Sequence, residues 1–83
     1  METKTDEQIE VETRGLIARL GARCRELRQD KGLTQDELAG YCGCQRTAIV
    51  RLESAENPPR GLALSTLVQI AAGLGVPLEV RLG

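Results

Sequence analysis

Apolar positions recur at helical spacing along most of this 83-residue chain, and the breaks in that spacing divide it into successive helices and one terminal alternation. The first stripe runs through Ile9, Thr13, Leu16 or Ile17, Leu20, Cys24 and Leu27 to about Lys31, with Thr5 and Gln8 at capping-box spacing ahead of it. Gly15 and Gly21 interrupt it, each costing a helix up to ~1 kcal/mol relative to Ala. The expectation is a firm helix from about Leu16 to Asp30. Residues 1–15 would be an acidic extension, frayed, separately helical, or ordered against a partner. Gly32 supplies a C-terminal stop, and Leu33 returns an apolar side chain to the core.

Thr34 and Glu37 form a second capping box ahead of Leu38, Ala39 and Cys42, which predicts a helix of only two turns. Gly43 can take the positive φ of a tight turn, and Cys44 plugs the junction with apolar contact. From Gln45 to about Ser54 a third helix buries Ala48, Ile49 and Leu52 and leaves Arg46, Thr47, Val50 and Arg51 on the opposite side. Residues 54–61, with Pro58 and Pro59, read as an exposed loop. A fourth helix, about Leu64 to Leu74, is apolar around more than half its circumference and so belongs at the centre of the core. Gly75 and Pro77 end it. Leu78, Glu79, Val80, Arg81 and Leu82 then alternate apolar and charged residues as a half-buried strand does. A lone strand needs a partner from a second molecule. Antiparallel pairing about Val80 would set Glu79 of each copy opposite Arg81 of the other, so 78–83 are expected to contact a second copy.

Composition narrows the picture. One Tyr, with neither Phe nor Trp, leaves Leu, Ile, Val, Ala and Cys to build the core, which favours helices over sheet. No apolar run approaches the ~20 residues of a membrane span, and the N-terminus is acidic and lacks a leader pattern, so a cytoplasmic location and no membrane partner are expected. The three cysteines, Cys24, Cys42 and Cys44, have no zinc-like spacing and no histidine beside them, so they read as reduced packing residues and no metal or other cofactor is expected. The net charge of -1 is misleading until it is divided by position. Of eleven bases and twelve acids, one base and five acids fall in residues 1–13, so ten and seven remain and the rest of the chain carries an excess of three positive charges. That excess suits a phosphate-binding surface only if it clusters.

These residues resemble the helix-turn-helix domain of the Cro and C1 phage repressors, the XRE type. The pattern appears as Arg28, Gly32-Leu33-Thr34-Gln35, Glu37-Leu38-Ala39, Gly43, Ile49, Leu52-Glu53, Leu67, Ile70-Ala71 and Leu74-Gly75-Val76, and covers about residues 16–77. The resemblance implies an all-α fold: a compact four- to five-helix repressor-like bundle with a helix-turn-helix, here with a short C-terminal β-strand used in dimerisation where the family has a fifth helix. It implies a largely buried ion pair between Arg28 and Glu53. It also implies that the helix at about 45–54 lies in the major groove of double-stranded DNA, with Arg46, Thr47, Val50 and Arg51 reading bases. Gln35 matches a phosphate-touching position, Gln45 flanks the recognition helix where Ser or Thr is commoner, and Arg60 in the proline loop is a second phosphate contact.

The domain division expected is therefore an acidic extension over 1–15, a helix-turn-helix domain over 16–77 and a dimer-contacting segment over 78–83. The function expected is a sequence-specific DNA-binding transcriptional regulator, a homodimeric repressor on a pseudo-palindromic operator. The alternative is an antitoxin or adaptor whose main task is binding a partner protein, for which the acidic extension would serve. With no histidine, phosphate loop or clustered acids beyond that extension, nothing suggests an enzyme. So short a chain would be controlled by its own concentration or by a regulatory protein.

Overall fold

The computed structural model describes residues 3–54, 59 and 61–82, and these form four helices: α1, Asp6–Asp30; α2, Gln35–Cys42; α3, Arg46–Glu53; and α4, Leu64–Leu74. No strand is present among the described residues, so the fold is an all-α helix-turn-helix bundle. Residues 76–82 run on from α4 without regular structure, so the strand expected over 78–82 is not formed within the chain, which offers it no ladder partner among the described residues.

The largest difference from the sequence expectation lies at the N-terminus. The helix does not begin near Leu16 but runs unbroken for 25 residues from Asp6. Its first turn is held by the reciprocal Thr5–Gln8 bonds, 2.8 and 3.2 Å, and by Asp6 and Glu7 against the positive end of the helix dipole. Lys4 pairs with Glu12 and the Thr13 hydroxyl donates to the Ile9 carbonyl, so local contacts across the first three turns offset the cost of Gly15.

Three helices end alike. Gly32, Gly43 and Gly75 take φ of 68°, 68° and 72°, and the next residue's N–H returns to the carbonyl five positions back: Leu33 to Arg28, Cys44 to Ala39 and Val76 to Ala71. This closure satisfies orphan carbonyls and turns an apolar side chain onto the core each time, since Leu33, Cys44 and Val76 all pack against it. At Gly43 it sets the turn between α2 and α3.

The core lies where the four helices meet. Leu38, Ile49 and Leu52 are fully buried, at about 1.5–3 kcal/mol each. Ile17, Cys24, Ala39, Cys42, Ile70 and Leu74 complete it. The helices approach closely at two glycines. A methyl built at Gly21 would overlap the Leu52 carbonyl oxygen and stand 2.9 Å from its carbon, so α1 and α3 cross backbone to backbone. At Gly73 a methyl would strike the Cys42 sulfur and lie 3.2 Å from the Cys42 Cα, so α4 packs equally closely on α2.

Candidate nucleic-acid interface

α3 presents two unlike faces. Inward, Ile49, Leu52 and Glu53 are buried. Outward, Arg46, Thr47, Val50 and Arg51 are all exposed, with Val50 at 38%. The Arg46 and Arg51 side chains make no hydrogen bond or ion pair with any described residue. Both guanidiniums therefore keep their donors free, in the fork geometry that matches guanine O6 and N7, while Thr47 and Val50 offer methyls suited to thymine.

The helix start is equally open. Gln45 is the N-cap in extended conformation, yet its side chain makes no capping bond. α2, by contrast, is capped on both sides, Thr34 Oγ1 accepting from the Glu37 amide at 3.1 Å and Glu37 accepting from the Thr34 amide at 3.0 Å. That backbone bond holds the Glu37 carboxyl below its usual range.

What fixes α3 in place is one buried fork. Arg28 Nε donates to Glu53 Oε2 at 2.9 Å and Nη2 to Oε1 at 2.8 Å, while Nη1 reaches the Leu33 carbonyl at 2.8 Å. Arg28 thereby joins the end of α1, the entrance to α2 and the end of α3. Its Glu53 bonds raise its already high pKa further, against the opposing effect of burial. Cys24 Sγ also donates to Glu53 Oε2, at 3.6 Å, and burial together with the Glu53 charge pushes the thiol up to about 12. Cys42 is pushed up to about 11, again chiefly by burial, and donates to the Ile70 carbonyl at 3.7 Å.

Two residues expected at phosphate fare differently. The Gln35 side-chain amide points inward, donating to Glu53 Oε1 at 3.4 Å, because Glu53 has acceptor capacity left after the arginine fork. Gln35 and Arg46 nonetheless share the wall of an open cleft with Thr34 and Asp36, so the starts of α2 and α3 face one surface. Arg60 falls outside the described residues. Leu78 is partly buried, while Glu79, Val80, Arg81 and Leu82 are exposed.

Sequence reasoning missed the two glycine crossings and the second and third partners of Glu53. A glycine on the stripe that also carries Ile17 and Cys24 was the available signal for the first. A buried carboxylate with more acceptor sites than one arginine fills was the signal for the second.

Comparison with known proteins agrees with this geometry. The family described as "Helix-turn-helix domain" matches residues 19–82, most of the chain and all of α2, α3 and α4. A search of curated proteins finds no significant match to any individual one. An outward-facing α3 held at a glycine turn behind α2 is what a helix-turn-helix requires, and with that match the chain belongs to the helix-turn-helix domain family, consistent with its XRE-type resemblance.

Proposed function

We propose that the protein is a sequence-specific transcriptional regulator that binds DNA as a homodimeric repressor, laying α3 in the major groove of each half of a pseudo-palindromic operator. The observation that carries this reading is the outer face of α3, where two unpaired guanidiniums and two methyl-bearing side chains stand exposed on a helix whose inner face is rigidly held. Arg46, Thr47, Val50 and Arg51 read bases, and Gln45 and Gln35 flank them at the backbone, Gln35 exchanging its Glu53 bond for a phosphate. Half-site centres lie roughly 34 Å apart in this docking mode.

Selection from random duplex DNA, followed by titration of Arg46→Ala and Arg51→Ala against the selected site and its single-base variants, tests the reading. Each change is expected to cost ~1–3 kcal/mol and to relax preference at one base pair. Equal weakening on every sequence would reduce the interface to phosphate contact alone.

The two-copy part rests on the exposed Glu79–Leu82 segment, whose alternation gives an antiparallel register through Val80. Removal of residues 78–83 is expected to lower the mass in solution. An antitoxin or adaptor role would instead show as stoichiometric co-purification of a second protein.

A further inference from the structure

The N-terminal half of α1 carries a second stripe, distinct from the one that faces the core. Ile17, Gly21 and Cys24 are buried against the body, whereas Ile9, Thr13, Leu16 and Leu20, on the adjoining face, are not. Ile9 and Leu16 are each 49% exposed and Leu20 36%. Their separations of 4, 3 and 4 residues are those of a coiled-coil seam. A surface hollow runs along it at Ile9, Glu12, Thr13 and Leu16. At the far end Leu20 is also a wall of an apolar cavity of about 110 Å³, shared with Leu27, Leu67, Leu74, Val76 and Leu78.

We infer that this seam is covered by α1 of a second copy, running antiparallel. The inference rests on the two-copy reading above and adds to its 78–83 contact a second one on the same side of the molecule, where Leu20 and Leu78 line one cavity. Antiparallel pairing centred between Thr13 and Leu16 sets Ile9 over Leu20 of the second copy and Thr13 over its Leu16, and the two-fold repeats both contacts. Ile9 of each copy then closes the mouth of the other's cavity.

Charge selects both direction and register. Glu12 and Arg19 lie on the solvent side of the seam, each one position before a seam residue. In this register Glu12 of each copy exchanges its Lys4 contact for Arg19 of the other. A shift of one heptad in one direction sets Glu12 against Glu12. A shift in the other sets Glu12 against Glu26 and Arg19 against Arg19, and brings Arg23 into the seam. Parallel pairing stacks the acidic first turns, with Asp6 and Glu7, on their own copies.

The test is sedimentation of the full chain over a range of concentrations, with helicity and melting measured alongside, since the substituted positions are exposed and the fold should persist. Leu16→Glu is expected to abolish the dimer. Glu12→Arg and Arg19→Glu are each expected to raise the dimer dissociation constant about tenfold, two surface pairs being reversed at once, and the double exchange to restore it. A wild-type dimer that survives Leu16→Glu would place the contact elsewhere, with 78–83 the next candidate, and would overturn the seam while leaving the homodimer standing. Loss of the dimer in Leu16→Glu without rescue by the double exchange would overturn the antiparallel register. A wild-type chain that is monomeric on its operator, or a different protein found on the seam, would overturn the seam and the homodimer together.

Discussion

The two faces of α3 differ more than any other pair of surfaces in this protein. Inward, every polar group has a partner: the Glu53 carboxylate accepts from Arg28, Gln35 and Cys24, and Leu52 offers its backbone to Gly21. Outward, Arg46 and Arg51 are unpaired among the described residues. On the proposed function, one short helix thus separates stability from recognition by the width of its backbone, and substitutions on the two sides should fail in opposite ways.

The largest effect belongs to the inner side. Arg28→Ala strands the Glu53 carboxylate at 8% exposure, and chemical denaturation is expected to show a loss of ~3–5 kcal/mol. A loss below about 1 kcal/mol would mean that water reaches Glu53 and that the inner face is less sealed than its burial indicates. Gly21→Ala comes next. It adds helix propensity worth ~1 kcal/mol, yet its methyl meets the Leu52 backbone, and the net result is expected to be a loss of ~1–3 kcal/mol. Gly15→Ala, whose methyl would find only the tip of Arg19 at 3.9 Å, is the matched control and should stabilise.

On the outer side, Arg46→Ala and Arg51→Ala are expected to leave folding stability within about 0.5 kcal/mol of the original while weakening the operator complex. A parallel loss of both quantities would dissolve the contrast. The inner face also carries a pH dependence, absent at neutral pH and felt only above pH 9. The Cys24 thiol ionises at an ordinary value of 9.0 when unfolded but at about 12 in the fold. The folded state therefore holds its proton where the unfolded state has lost it, so stability is complete below pH 9 and falls between 9 and 12. Cys24→Ala should lessen that alkaline fall, measured as denaturation midpoint against pH, leaving the smaller part between pH 9 and 11 that the raised Cys42 thiol contributes.

Much of this arrangement was legible before any coordinates. α2 and α4 could be bounded because their signals are local: the Thr34–Glu37 box, and glycines at 43 and 75 whose positive φ closes a helix end. The exposed quartet on α3 followed from periodicity alone, and its assignment to DNA followed from the resemblance. Gly21 was misread as a weakness, because a glycine that softens a helix and one that admits a neighbouring backbone look identical in one dimension. The unbroken start of α1 was half legible: the Thr5–Gln8 box and the cost of Gly15 are both visible in the sequence, whereas the Lys4–Glu12 contact that helps offset that cost depends on the helix already being formed. The inward turn of Gln35 depends on a carboxylate 18 residues away. The alternation at 78–82 was read as a half-buried strand, but no strand forms there and Val80 and Leu82 stay exposed, because a pattern cannot supply the neighbour a strand requires.

The junction of α1 with α3 has a mechanical meaning. Two attachments along one helix, backbone contact at Gly21 and the arginine fork at Arg28, fix an angle as well as a position, much as two screws hold a bracket where one would let it pivot. Since α1 continues unbroken for more than three turns beyond the first attachment, its free end is the long arm of a lever whose short arm is the recognition helix. On the proposed function, a second copy holding residues 6–16 would therefore also set the bearing of Arg46 and Arg51.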